Sequence, residues 1–300
     1  MFAKGWRNFD TTTRVAIVVL AVLYVAALLA PLIAPYDPTQ QIDITALNRR
    51  PPSLAHPFGT DRYSRDVLSR VLFGMRVSIT VATLAVLMAS VIGTLYGLLA
   101  SNTAPIVDTI MMRVLDAFLA IPRVLLLIAI LALWNPVPLW LLIVLLGTTG
   151  WFDVSRLVRG EALSMREREF VLAARASGAS GMRVVFRHLL PNVLGPVIVT
   201  TTLGIGSVIV LEAGLSFIGI GVREPLASLG TLLQDGTEVF AGTWWTALFP
   251  GLAIVAIVLC VNIIGDALRA SLDPRQLPSR RAQRVQELDR ISTPLPLTHG

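Results

Sequence analysis

Long apolar stretches without charged side chains constrain this chain more than any other feature. Residues 15–34 contain no charged side chain, and five later stretches are nearly as apolar. A helix needs about 20 apolar residues to cross the roughly 30 Å hydrocarbon core of a bilayer. The sequence therefore predicts an all-α membrane protein with six transmembrane helices. The predicted spans are 15–34, 77–100, 114–134, 139–152, 193–222 and 245–268. Gly93 and Gly97 form a GxxxG motif that predicts close helix packing at the second span, and Pro122 predicts a kink in the third.

The composition agrees with a membrane protein and argues against a soluble one. Hydrophobic residues make up 54% of the chain and charged residues only 15%, whereas a soluble domain carries about 25% charged residues. The net charge of +6 raises the alternative of nucleic-acid binding. The basic residues flank the apolar stretches instead of gathering on one domain, so we predict membrane lipid and no nucleic acid as a partner. The histidines and the single cysteine have no metal-ligand spacing, which predicts no metal site.

The arginine positions predict the orientation of the spans. Arginines are dense before the first span, after the last span and in the segment 153–192. Because positive charge is retained on the cytoplasmic side, we predict that both termini and this segment are cytoplasmic. The segment 35–76 would then be extracytoplasmic, although it carries six arginines, four of which are offset by aspartates. We base the predicted orientation on the other three regions, where arginine is dense.

This orientation divides the chain into four predicted parts. Residues 1–14 form a cytoplasmic tail, and residues 15–76 form the first span with an extracytoplasmic segment. Residues 77–270 form the core transmembrane domain, which includes the cytoplasmic loop 153–192. Residues 271–300 form a polar, proline-containing cytoplasmic tail, predicted to be poorly ordered beyond about Leu277.

The predicted cytoplasmic loop 153–192 contains residues that typically begin or end helices. Good helix-forming residues at 161–177 precede Gly178, which is predicted to end that helix in a left-handed conformation. Ser180 is a predicted N-cap for a second helix, which Pro191 would end. The second helix has one predicted apolar face, formed by Met182, Val185, Phe186 and Leu189. The two helices and their turn of small residues would project into the cytoplasm, where the groove of another protein could approach the backbone.

Residues 178–181, Gly-Ala-Ser-Gly, also fit the GxSG motif of rhomboid proteases, which are intramembrane serine proteases with six spans. Activation of a serine nucleophile requires a histidine within hydrogen-bond reach. The sixth predicted span contains no histidine, and Ser180 lies in the most charged loop. We therefore interpret Ser180 as a helix cap and not as a nucleophile, and we predict no catalytic residue.

The cytoplasmic loop also resembles a known motif. Ala173-Ala174, Gly178 and Leu190-Pro191 have the order and spacing of the EAA loop of ABC importer permeases. Leu172 and His188 replace the usual first glutamate and an isoleucine of that motif. In that family the loop docks into the ATP-binding subunits and passes their movement to the transmembrane helices. The resemblance implies that docking involves Ala173, Ala174, Gly178, Ala179, Met182 and Phe186.

A second signature precedes the second predicted span. Here Gly59 and Thr60 predict a turn and cap before an amphipathic helix, which on physical grounds would be solvated. Two acid–arginine pairs at helical spacing are predicted in it, Asp61–Arg65 and Asp66–Arg70. The sequence HPFGTDRYSRDVLSR at 56–70 closely resembles the HPFGTD…GRDVLSR signature of the C-type permease subunits of the dipeptide/oligopeptide/nickel family. Ser64 stands where that family usually has glycine.

Three later stretches resemble the same family, so that the resemblance covers roughly residues 15–275. They are EAGLSFIGIG at 212–221, FPGLAI at 249–254 and NIIGDALRASLDP at 262–274. The first stretch begins with Glu212, an ionisable residue inside a predicted span, where a proton relay is the default functional interpretation. A relay would need further acids or histidines at membrane depth. We therefore predict that Glu212 is a buried structural acid that is hydrogen-bonded to a neighbouring helix or subunit.

The resemblance implies a type I ABC importer permease in a bacterial or archaeal cytoplasmic membrane. Its implied partners are a second, homologous permease, two ATP-binding subunits and an extracytoplasmic solute-binding protein. The chain has no GxxxxGK[ST] loop, so we predict that it is not an enzyme and has no cofactor, and that ATP-Mg is bound by the partner subunits. Di- or oligopeptides are the expected cargo, and nickel or another small solute is the alternative. A stand-alone secondary transporter or channel is the competing class, against which the scarcity of acids in the spans argues.

Overall fold

A computed structural model of the protein describes residues 9–41, 43, 46–134, 136–237 and 242–272. Within these residues the regular structure is helical, apart from an isolated bridge between Thr60 and Asp66. The helices are α1 (Thr11–Leu28), α2 (Ala30–Ile33), α3 (Val67–Ser101), α4 (Pro105–Leu119), α5 (Arg123–Leu131), α6 (Leu139–Arg166), α7 (Glu169–Ala176), α8 (Gly181–Val184), α9 (Leu190–Phe217), α10 (Leu229–Asp235) and α11 (Trp245–Leu272). A π-helical turn, Val185–Leu189, joins α8 to α9. The predicted all-α membrane fold is confirmed.

Among the described residues, five segments are long and apolar enough to cross a membrane: α1, α3, α6, the run Gly181–Phe217, and α11. Helices α4 and α5 pass the same test together and form a sixth if they are one span, although they are bent by 69°. Pro122 lies at the break between them, as the predicted kink requires, because proline cannot donate the backbone hydrogen bond of a continuing helix.

Several helices begin or end outside the bounds predicted from hydropathy. Helix α3 begins at Val67 instead of residue 77, and α6 continues to Arg166 instead of ending at 152. The polar extension of α6 is stabilised from α4, since Arg159 pairs with Asp108 at 2.6 Å. Hydropathy marks the apolar part of a helix and therefore misses a polar extension that other helices support.

Close packing between α3 and α6 depends on two glycines. The predicted GxxxG contact is confirmed, because a Cβ added at Gly93 would lie 2.7 Å from the carbonyl oxygen of Trp151. At Gly97 it would lie 2.5 Å from the carbonyl oxygen of Ser155. Only glycine permits this approach of two backbones inside a membrane.

Much of the C-terminal tail lies outside the described residues. Helix α11 ends at Leu272, so Ser271, which was assigned to the tail, is helical. The predicted disorder beyond Leu277 and most of the N-terminal tail fall outside the described part of the chain. The division into four parts stays a prediction.

Candidate coupling surface and charge cluster

The turn after α7 has the geometry that its sequence predicts. Gly178 has φ +80°, and its N–H donates to the carbonyl of Arg175 at 2.9 Å. The N–H of Ala179 donates to the carbonyl of Ala174 at 3.0 Å. These two bonds form a Schellman motif, in which glycine carries the left-handed conformation at no steric cost. The prediction for Gly178 is confirmed.

The prediction of one continuous helix over 161–177 is wrong. Helix α6 ends at Arg166, and α7 begins at Glu169. The change of direction lets Val171 become fully buried with Val184 in one apolar cluster. Local helix propensity cannot show this break, because the burial that favours it depends on a segment that follows the turn.

The second helix begins as predicted but does not end at Pro191. The Ser180 hydroxyl accepts a hydrogen bond from the N–H of Arg183 at 3.4 Å, so the predicted N-cap is present. The run then continues through the π-helical turn into α9, where Pro191 occupies the first turn. Proline is tolerated in a first helical turn, since its missing N–H is not needed there.

The predicted apolar face of the second helix is divided between the interior and the surface. Val185 and Leu189 are buried, whereas Met182 and Phe186 are 57% and 51% exposed. The π-helical turn widens the helix and shifts the residues that follow, so the 3.6-residue spacing no longer defines one face. The single apolar face is therefore a wrong prediction, and two large apolar side chains remain on the surface.

Helices α7 and α8 pack against each other and form a helical hairpin with the turn between them. We call the six residues predicted to dock on ATP-binding subunits the coupling surface. Ala173 and Gly178 are exposed, and Ala174 and Ala179 are half-buried. A Cβ added at Gly178 would meet no atom within 4 Å. The hairpin thus presents an uncrowded backbone turn beside the exposed Met182 and Phe186, whereas the docking role itself stays a prediction.

The hairpin is held to the membrane helices by its buried residues. Val171, Val184 and Leu189 lie in the same apolar cluster as Leu98 of α3 and Val158 of α6. Because packed side chains transmit displacement, a force on the hairpin would reach both helices. The hairpin also continues into α9 without a loop.

The second signature contributes to a charge cluster, which comprises Asp61, Arg65, Arg70, Glu224 and Asp235. The first three are buried, Asp235 is half-buried and Glu224 is exposed. The Asp61 carboxylate accepts from Arg65 Nε at 2.7 Å and from Arg70 Nη1 at 2.6 Å. Arg70 Nη1 also donates to Asp235 at 2.8 Å, and Arg65 Nη1 to Glu224 at 2.5 Å. Burial by itself would lower the pKa of Arg65, but Asp61 and Glu224 raise it above its ordinary value. The guanidinium therefore stays charged.

One of the two predicted ion pairs is present. Asp61 pairs with Arg65, as predicted, but Asp66 does not pair with Arg70. Asp66 instead caps α3 by accepting from the N–H of Ser69 at 2.8 Å, and its other oxygen lies 3.0 Å from His56 Nδ1. Asp66 is the N-cap of α3, where a carboxylate satisfies a free N–H group.

The predicted solvated helix before the second span is also absent. Residues 61–65 are not helical, and Thr60, Asp61 and Arg65 are all less than 9% exposed. Gly59 has φ +74°, and a Cβ there would lie 2.7 Å from the carbonyl oxygen of Arg50. Trp245 Nε1 donates to the carbonyl of Thr60 at 3.0 Å. The segment is folded onto α11 and is not an interfacial helix.

The backbone conformation at Ser64 explains why the family signature usually has glycine at this position. Its φ is +60°, in the left-handed region that favours glycine. Serine therefore occupies a position at which the resembling family usually has glycine, and the backbone keeps the conformation that glycine would adopt.

Sequence reasoning missed Glu224 and Asp235. They lie 159 and 165 positions from Arg65 and Arg70. No local spacing could link them, because α3 to α9 must first bring the two segments together.

Glu212 of α9 is fully buried. Its carboxylate accepts from Ser216 Oγ at 2.7 Å and from Ser78 Oγ of α3 at 2.8 Å. The same Ser78 hydroxyl accepts from the N–H of Leu229 at the start of α10 at 3.1 Å. These contacts link three helices and agree with a structural acid. No group of histidine, cysteine, aspartate or glutamate in the described residues could hold a metal ion.

Ser180 has no base. Among the described residues no hydrogen bond joins it to His188, and its hydroxyl is used as a helix cap. This geometry offers no support for the protease alternative.

Comparison with known proteins places the chain in a family. Residues 89–277 match the family described as the binding-protein-dependent transport system inner membrane component. Residues 11–52 match the N-terminal transmembrane domain of oligopeptide transport permease C.

Relatives match over most of both chains. A putative peptide transport system permease protein of Brucella suis biovar 1 (strain 1330) is 40% identical over 264 residues, which are 87% of each chain. The dipeptide transport system permease protein of Bacillus subtilis (strain 168) is 36% identical over 90% of this chain and 85% of its own. The oligopeptide transport system permease protein of the same strain is 35% identical over 87% and 85%. The chain therefore belongs to the family of binding-protein-dependent transport system inner membrane components, the membrane-spanning permease subunits of ABC transporters.

Proposed function

We propose that this permease subunit carries di- or oligopeptides across the cytoplasmic membrane in an ATP-driven importer. The names of its relatives support the cargo. The observation that carries the coupling mechanism is the helical hairpin, with an open glycine turn, exposed Met182 and Phe186, and a buried side that packs on α3 and α6. A surface of this kind can bind a partner protein on its exposed side and transmit the partner's movement to the helices on its buried side.

The proposed assembly contains a second, homologous permease, two ATP-binding subunits and an extracytoplasmic solute-binding protein. The ATP-binding subunits bind ATP-Mg and hydrolyse it. Their closure moves the hairpin, and α9 moves with it because the two are continuous. The membrane helices then alternate between inward-facing and outward-facing arrangements.

We propose an orientation in which both termini and the coupling surface are cytoplasmic and the charge cluster is extracytoplasmic. The arginine distribution supports it. Exposed Ser53 and Ser177 are suitable labelling sites in a Cys260→Ser background. In intact cells an impermeant thiol reagent should label Ser53→Cys and spare Ser177→Cys, and labelling of both from outside would overturn the orientation.

Uptake measured with all subunits in proteoliposomes tests the function. Loaded binding protein and ATP should drive accumulation of a labelled dipeptide, and omission of the ATP-binding subunits should abolish it. Uptake by this chain alone, driven by a proton gradient, would establish the secondary-transporter alternative. Uptake of nickel without uptake of peptide would establish the metal-ion alternative within the same class.

A further inference from the structure

A mostly apolar cavity with two charged side chains on its wall lies among the membrane helices. It has a volume of about 160 Å³ and lies between α3, α5, α6 and α9. Its lining includes the charged side chains of Arg123 and Asp153 and the hydroxyl groups of Ser90, Thr200 and Ser207. Charged side chains at membrane depth are costly and commonly mark the path of a substrate.

The position of Arg123 places it deep in the membrane. It is the first residue of α5, directly after the 69° break. Its acceptors on α6 lie seven to ten residues after Leu139, which is about 10–15 Å along the helix at 1.5 Å per residue. Broken helices near the bilayer midplane form substrate sites in other transporters, because the positive end of a half-helix favours an anion.

Only part of the hydrogen-bonding capacity of Arg123 is used. Its Nε donates to Thr149 Oγ1 at 3.0 Å, and its Nη2 donates to the carbonyl of Leu146 at 2.8 Å. A guanidinium has five N–H donors, so these two bonds fix its direction and leave three donors. Among the described residues no carboxylate lies within the 4.0 Å of an ion pair with Arg123. The guanidinium is held in place, and the Asp153 carboxylate attracts it from beyond ion-pair distance.

Asp153 lies on the same cavity. It is exposed, and it lies about 21 Å along α6 from Leu139. Within the described part of the chain its carboxylate makes no hydrogen bond or ion pair. Gly150 keeps the space beside Arg123 open, because a Cβ there would lie 3.1 Å from Arg123 Nη2. The cavity therefore has one positive and one negative group, which attract each other without forming an ion pair.

We propose that this cavity is a transient binding site for a zwitterionic solute on its way through the membrane. Arg123 binds the solute's terminal carboxylate through its free N–H donors, and Asp153 binds the terminal ammonium. A peptide carries both groups, so the inference rests on the proposed function and adds two specificity-determining residues to it. The hydroxyl groups of Ser90, Thr200 and Ser207 replace part of the water that the peptide backbone loses.

The test compares dialanine with dialanine amide, which lacks the carboxylate. Initial uptake rates are measured in the complete importer with binding protein saturated by each compound. The wild type should favour dialanine, and Arg123→Gln should reduce this preference on the order of tenfold, the worth of a charge-assisted hydrogen bond. Arg113→Gln is the matched control, because that arginine lies on α4 with its side chain 81% exposed, and it should keep the wild-type preference.

Two further measurements make the result decisive. Asp153→Asn should reduce the preference for dialanine over N-acetyl-dialanine. In a Cys260→Ser background, dialanine should slow labelling of Ser207→Cys by a water-soluble thiol reagent, which tests the cavity even if Arg123→Gln fails to assemble. Unchanged preferences in both charge variants, or labelling that dialanine does not affect, would overturn the inference. If the wild type imports no dialanine, the proposed function itself fails instead.

Discussion

Two turns with a left-handed residue lie in contrasting surroundings. Ser64, next to the charge cluster, has φ +60° and is fully buried. Gly178, in the coupling surface, has φ +80°, is exposed and has open space around it. The first turn is held by groups of its own chain, such as Asp61 and Trp245. The second presents its backbone outward.

The contrast shows how the same backbone conformation serves two purposes. Where the surroundings determine the conformation, a residue with a side chain can be tolerated in it at some cost in free energy. Where a partner must approach the backbone, the absence of a side chain is itself required. We therefore expect the charge cluster to determine the stability of the chain and the coupling surface to determine its assembly.

The largest expected change in stability is at Asp61. Asp61→Ala removes the most buried carboxylate that Arg65 and Arg70 share and leaves them Asp235 and the exposed Glu224. This loss should destabilise the protein by about 3 kcal/mol. Thermal unfolding of the purified chain in detergent measures this loss. Exposed Asp37→Ala is the control and should unfold close to the wild type. An unchanged unfolding temperature for Asp61→Ala would show that the charge cluster is not a source of stability.

At the coupling surface we expect a loss of binding without a comparable loss of stability. Gly178→Trp should weaken association with the ATP-binding subunits on the order of thirtyfold, about 2 kcal/mol, and abolish uptake, because the ring blocks the turn. Co-purification and uptake are the measurements.

Gly242→Trp is the matched control for Gly178→Trp. Gly242 has φ +84°, and a Cβ there would also meet no atom within 4 Å, so the backbone strain is the same. It should retain the ATP-binding subunits. Loss of those subunits in both variants, or in neither, would contradict the assignment of the coupling surface.

The third prediction concerns Ser64 itself. Ser64→Gly should stabilise the chain by about 1 kcal/mol, since it removes the left-handed strain of a residue with a Cβ. Its buried hydroxyl has no hydrogen-bond partner among the described residues, so little is lost with it. Thermal unfolding in detergent should show a higher transition temperature, and a lower one would mean that the hydroxyl has a role.

The smallest effect is expected at Ser180. Ser180→Ala removes a helix cap on an exposed turn and should cost at most about 1 kcal/mol, while Ser180→Asp should keep the cap. Uptake should stay close to the wild-type rate in both. Covalent labelling of Ser180 by a serine-directed phosphonate would instead revive the protease alternative.

Much of the fold followed from local sequence, and the failures share a cause. The spans, the break at Pro122 and the left-handed Gly178 were predicted because hydropathy and backbone sterics act over a few residues. The sequence did not predict where some helices begin and end, since contacts from other elements decide these positions. Examples are the start of α3, the end of α6 and the continuation of the helix past Pro191. The contacts of Arg65 with Glu224 and of Arg70 with Asp235 were missed for the same reason.

By itself the sequence determined that this chain spans a membrane and carries an exposed turn of small residues, because hydrophobic length and glycine geometry are properties of neighbouring residues. Only the tertiary structure decided which charges are paired. It gave Asp61 two arginines, assigned Asp66 to a helix cap and placed Arg123 and Asp153 on one cavity without an ion pair between them. Ion pairs depend on distances of a few ångströms between side chains, and those distances are set by how distant helices pack.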